Sequence, residues 1–104
     1  MQVTAPGKHN NHGILNRLGI TGCILNIVEL SEQDRAVVHF DLSFHQSGSG
    51  DAILPCRCAD PQIVKFSRRI QVGYGIECGG EVRQDSDGKF YLAVHYMNFQ
   101  GGRK

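Results

Sequence analysis

The chain carries almost no net charge: eleven Lys and Arg stand against ten Asp and Glu, giving +1 with histidine neutral. That balance excludes binding of nucleic acid through bulk positive charge, so any such role has to come from where the basic residues sit. Long hydrophobic runs are missing too. No apolar stretch approaches the roughly 18 residues of a membrane span, each being broken by Gly, Asn or charge, and no membrane is expected as a partner. Catalytic signatures are equally scarce. The sequence holds no nucleophile motif, no paired carboxylates and no phosphate-cradling Gly loop, and Gly73-x-Gly75 lacks the rest of a dinucleotide fingerprint. The expectation is a protein that is not an enzyme and uses no cofactor.

Metal chemistry is disfavoured on spacing. Cys56-x-Cys58 puts two thiols on one face of a strand, but with Cys78 it lacks the second knuckle of a zinc site. His9 and His12 would need a helix that the neighbouring Asn and Gly residues oppose. The four cysteines, Cys23, Cys56, Cys58 and Cys78, lie in apolar strand-like runs with no hydrophobic leader before them. Reduced thiols in a cytoplasmic protein are expected.

What the sequence does have is alternation. At 104 residues it suits one domain with a modest core. Positions 1–13 show no apolar periodicity and read as a flexible arm, 14–100 as the folded domain, and 101–104 as a short basic tail. Leu18, Ile20, Gly22 and Ile24 share one face of a long first strand running from Ile14 to Glu29, and its glycines suit a bulge or sharp coil. Polar Ser31-Glu32-Gln33-Asp34 reverses the chain. Ala36, Val38, Phe40, Leu42 and Phe44 then alternate with Val37, His39, Asp41, Ser43 and His45 in the clearest strand of the sequence.

A linker-like tip at 46–50 leads to a third strand, Asp51 to Cys58, in which Pro55 requires an edge or a bulge. Asp60-Pro61 is a helix start, with Asp60 as N-cap, and that helix ends near Arg68 or Arg69. Tyr74, Ile76, Cys78 and Val82 mark a fourth strand, and Asp87-Gly88 a hairpin. In the last strand Phe90, Leu92, Val94 and Tyr96 fall on one side, and Tyr91, Ala93, His95, Met97 and Phe99 on the other. Three strands, a short helix and two strands is the order of an all-β, five-stranded OB-fold, a Greek-key barrel with one helix between strands 3 and 4.

Asn16-Arg17-Leu18 through Gly22-Cys23-Ile24, the strand Ala36–Leu42, the step Ile70-Gln71-Val72-Gly73 with Ile76 and Gly80, and the hairpin at Gly88 resemble the bacterial single-stranded-DNA-binding proteins. Within that family the likeness is nearest to the short primosomal replication proteins, and it extends over about residues 14–99. The resemblance implies an OB-fold that binds single-stranded DNA, or RNA, and works as a homo-oligomer, dimer or tetramer, alongside replication-restart proteins. The uncharged stretch Leu18–Val28 supports assembly independently, because it leaves an edge to cover. The sequence runs to Gly101-Gly102-Arg103-Lys104 without the long linker and acidic tip of the main family, which fits the primosomal type or a mobile-element relative.

Single-strand binding needs aromatic faces for bases and cations along the phosphates. There is no Trp, so stacking falls to Phe and Tyr. Phe40 and Phe66 read as core, while Phe44, Tyr91 and Tyr96 suit core and ligand equally. In an OB-fold the ligand crosses strands 2 and 3 between the β1–β2 and β4–β5 loops. The expected nucleic-acid-binding residues are therefore Arg17, Phe44, Arg57, Lys65, Arg68, Arg69, Arg83, Lys89 and Tyr91. The competing reading is an OB-like adaptor that binds protein and no nucleic acid, favoured by acidic Glu77, Glu81, Asp85 and Asp87.

Overall fold

The computed structural model describes residues 17–46, 48 and 50–101. The expected arm over 1–13, with His9 and His12, and the tail beyond Gly101 lie outside the described residues. Five strands and one helix follow in the order β1 (Arg17–Glu32), β2 (Arg35–Gln46), β3 (Gly50–Cys58), α1 (Pro61–Ser67), β4 (Gly75–Gln84) and β5 (Phe90–Gly101). They close a barrel in the order β1-β2-β3-β5-β4, with only the β3–β5 contact parallel. This is the OB-fold the alternation predicts.

Closure depends on β1 serving two partners. Its first half pairs with β4, from Arg17 opposite Glu81 to Cys23 opposite Gly75, and its second half with β2, from Cys23 opposite Ser43 to Glu32 opposite Arg35. Gly22 lies where the partner changes, and a Cβ there would stand 2.3 Å from the Ser43 carbonyl oxygen. The register break itself falls between Ile24 and Asn26, so the bulge sits beyond the glycines and not on one of them. The strand also runs three residues past the expected Glu29. The reversal then needs only Gln33 and Asp34, both at positive φ, the two-residue turn whose twist matches the strands.

Inward residues Ile24, Val38, Phe40, Leu42, Ile76 and Leu92 form the core, together with Cys56, Cys58 and Cys78. Each large apolar side chain withdrawn from water in this way contributes about 1.5–3 kcal/mol. The helix closes the barrel end with Ile63 and Val64 buried. It starts as expected: Asp60 Oδ1 accepts the N–H groups of Gln62 and Ile63, and Pro61 follows at the first helical position. Pro55 pairs with Asp41 on β2, and β5 meets β3 no earlier than Cys56, so one side of Pro55 is an open edge, where a residue without an N–H is tolerated.

The last strand departs from simple alternation. A register break opposite Gly79 and Gly80 absorbs His95, so the parity flips. Met97 turns inward at 9% exposure, while Tyr96 turns out at 43% and lays its ring against Gly79. Gly80 makes the closest strand contact, since a Cβ would lie 1.9 Å from the Ala93 carbonyl oxygen.

Candidate functional site

The register of β2, β3, β5 and β4 brings a row of outward side chains together. His39 is opposite Arg57, Arg57 is beside Ala93, and Ala93 is opposite Glu81, while one step along β5 Tyr91 is opposite Arg83. Of these, Arg57, Ala93, Arg83 and Tyr91 wall a shallow groove of about 300 Å³, which also takes in Glu32 and Gln33 at the β1–β2 turn and Arg35 just after it, with His39 and Glu81 beside it on the neighbouring strands. The β4–β5 hairpin reaches the same place through Asp85, whose Oδ2 accepts from Arg57 Nη2 at 3.2 Å. The Arg57 guanidinium carbon stands 4.1 Å from the centroid of the Tyr91 ring, a cation–π pair on the groove floor.

Charge in and beside the groove is mixed at short range. Arg83 donates to Glu81 at 2.9 Å, and His39 Nε2 lies 3.2 Å from Glu32 Oε2 in a geometry that makes no hydrogen bond. Asp85 is held below the usual carboxylate range, first by the Lys89 N–H and then by the Asp87 N–H and Arg57. The carboxylates that favour an adaptor on sequence alone are therefore, at Glu81 and Asp85, the partners of the arginines.

The helix side continues the basic track. Arg35 and Ala59 line both the groove and a second recess whose other wall carries Lys65 and Arg68. Arg68 is tied to Glu29 of β1 by two bonds of 2.9 Å, which lower the Glu29 pKa and raise that of Arg68. Lys65 and Arg69 are exposed and share a third recess with Phe66. Among the described residues Arg35, Lys65, Arg69 and Lys89 make no ion pair.

Of the nine expected residues, Arg57, Arg83 and Tyr91 meet in the groove, Lys89 extends its hairpin, and Lys65, Arg68 and Arg69 form the adjoining helix face. Arg17 opens β1 opposite Glu81. Phe44 is set apart: it pairs with Ala52 in the β2–β3 hairpin, half-buried on the inward face with Phe40 and Leu42. Sequence reasoning missed Arg35 and His39, and read Asp85 only as one of the acids that favour an adaptor. Arg35 was available as the first residue after a polar turn, and His39 from its place on the outward face of β2. Asp85 had only its position at a turn.

Three of the four thiols, Cys56, Cys58 and Cys78, are buried in the core. Cys58 donates to the Val94 carbonyl at 3.2 Å, and burial pushes its pKa up. The Cys56 thiol is pushed up by its contact with Cys78 and by burial. Cys23 is exposed. No group of three metal-ligating side chains gathers among the described residues, and no helix there is long and apolar enough to cross a membrane.

No protein-family model matches the chain, and no curated protein matches it. Solved structures do. The mitochondrial single-stranded DNA binding protein Rim1 from S. cerevisiae is similar with a TM-score of 0.73 at 12% identity, covering 86% of this chain and 97% of that one. PriB from Ralstonia solanacearum gives 0.69 at 14% identity, over 81% and 96% of the two chains. The dimeric N-terminal domain of PriB from Thermoanaerobacter tencongensis gives 0.71 at 12% identity, over 83% and 97%. At these identities the likeness is one of fold.

Proposed function

We propose that this chain is a non-catalytic module that binds single-stranded nucleic acid, DNA foremost, across the β2–β3–β5 groove. The observation that carries the reading is the Arg57–Tyr91 pair, set on the groove floor between the β1–β2 and β4–β5 hairpins. It supplies a planar cation for phosphate and an aromatic face beside it, the two elements single-strand binding requires. Arg35, Lys65, Arg69 and Lys89 extend the cationic track, with Arg68 and Arg83 beside it, and Arg17 enters the proposal from its place at the start of β1 opposite Glu81. Phe44 belongs to the interface only if the strand also follows the β2–β3 hairpin.

The fold neighbours support the reading, and the sequence resemblance to primosomal replication proteins supports a place in DNA replication or its restart, with partners from that machinery. Reduced thiols suit the cytoplasm. A homo-oligomer, most simply a two-fold dimer, is part of the same proposal: Leu25, Val28 and Leu30 expose apolar surface along β1. Titration of labelled dT and rU oligomers by fluorescence anisotropy at two salt concentrations tests the binding. Affinity for dT is expected to fall with salt with a slope of roughly 0.7 per neutralised phosphate. No binding of either oligomer overturns the proposal in favour of the protein adaptor. A monomeric mass by light scattering at micromolar concentration overturns the assembly.

A further inference from the structure

Asp85 makes more bonds than its turn needs. Oδ1 accepts the N–H groups of Asp87 at 2.8 Å and Lys89 at 3.0 Å, which fixes the hairpin locally. Oδ2 points the other way and takes Arg57 across the groove wall. One carboxylate thus joins the β4–β5 hairpin to β3, and it holds the guanidinium over one face of Tyr91. A base can stack on that face only after Arg57 moves, or else stacks on the guanidinium itself.

The two arginine clamps differ in strength. Arg68 grips Glu29 through two bonds of 2.9 Å, the fork arrangement that makes such pairs firm, whereas Arg57 meets Asp85 through one bond of 3.2 Å, longer than a charge-assisted bond prefers. A phosphate offers the guanidinium two oxygens where Asp85 offers one. Release does not cost the turn its other support, because Asp85 keeps both backbone donors when Arg57 leaves. The same donors favour its ionised form.

We infer that Asp85 is a positioning residue that stands in for a nucleic-acid phosphate: it holds Arg57 across Tyr91 while the groove is empty and yields Arg57 to a phosphate of the entering strand. The inference rests on the proposed function and adds to it an internal competitor. Binding is then an exchange of partners, and the β4–β5 hairpin is untied from β3 when the strand is seated.

Asp85→Asn keeps an Oδ1 acceptor for the turn and removes the charge. It is expected to bind a dT oligomer about two- to fivefold more tightly than the wild type, the scale of one exposed ion pair. Its salt slope is expected to steepen, and the gain is expected to vanish when Arg57→Ala is already present. If Asn disturbs the turn, as judged by melting temperature, Asp85→Ser retains a hydroxyl acceptor and serves in its place. In the wild type, NMR of the Arg57 side-chain N–H is expected to shift on adding dT while the Asp87 and Lys89 amides stay protected. Unchanged or weaker dT binding by the charge-removed variants, with a wild type that binds, overturns this inference alone. A wild type that binds no oligomer overturns the functional reading instead.

Discussion

In the groove Arg57 and Arg83 each face a carboxylate from the same wall, and Tyr91 lies beneath, half-buried. Past Arg35 and Ala59, on the helix side, Lys65 and Arg69 are exposed and make no ion pair among the described residues, while Arg68 is tied to Glu29. The near-zero net charge of the chain is therefore unevenly spent. Under the proposed function the helix face attracts any polyanion and distinguishes little. The groove is close to neutral, and under the proposed function it selects a ligand that brings both a flat ring to stack and a phosphate to displace a carboxylate.

The strongest way to separate the two regions is to break the strand contact under the groove and leave the helix alone. Gly80→Ala places a methyl group inside the van der Waals shell of the Ala93 carbonyl, so β4 and β5 must part where Ala93 lines the groove. Destabilisation of about 3 kcal/mol is expected in urea denaturation. Affinity for dT is expected to fall further than with any single cation removed. Near-wild-type stability would show that the two strands give way without cost and that the groove does not depend on this contact.

Removing the floor is the next largest effect. Tyr91→Ala is expected to weaken dT binding by about 1–3 kcal/mol with the salt slope almost unchanged, because a stacking face is lost and no phosphate contact. A slope that changes as much as the affinity would mean that Tyr91 acts only by placing Arg57.

The fold was largely readable because period-2 alternation, the Asp60-Pro61 helix start and the Asp-Gly hairpin are local signals, and local signals agree with the barrel. Tyr96 and Met97 show where that fails. Nothing in the strand marks His95 as the extra residue; the break falls opposite Gly79 and Gly80 on the neighbouring strand, and only pairing reveals it. The site divides in the same way. Arg57, Arg83 and Tyr91 follow from strand order, whereas Phe44 has the right residue type and the inward face of β2. The carboxylate clamps were hidden because Glu29 and Arg68 are 39 residues apart and Arg57 and Asp85 are 28 apart.

A smaller effect tests whether clamped and free cations count differently. Arg69→Ala is expected to lower the salt slope of dT binding by roughly 0.7, the value for one single-strand phosphate contact. Arg68→Ala is expected to lower it less, since Glu29 already neutralises that guanidinium in the free chain. Equal changes would mean that Glu29 releases Arg68 to the strand without cost. No change in affinity or slope from the double variant, with the fold intact, would remove the helix face from the interface.

The finest effect is acid sensitivity, and it bears on both clamps. Glu29 is held below its usual range chiefly by the bonds from Arg68, and Asp85 chiefly by the Lys89 N–H with Asp87 and Arg57. A carboxyl lowered in this way gives up its proton more readily in the folded chain than in the unfolded one. The stability it contributes is therefore complete above the usual carboxylate range and is lost as pH falls through the lowered folded value. Melting temperatures taken from about pH 6 to about pH 3 are expected to fall for the wild type and to fall less for Glu29→Gln and for Asp85→Asn. The two variants are expected to differ in place: acid frees Arg57 while the protonated Asp85 still accepts from its turn, whereas acid at Glu29 frees the helix end at Arg68. Amide exchange near Arg68 is expected to quicken before exchange at Asp87 and Lys89. The opposite order would make the hairpin, and not the helix contact, the weaker of the two.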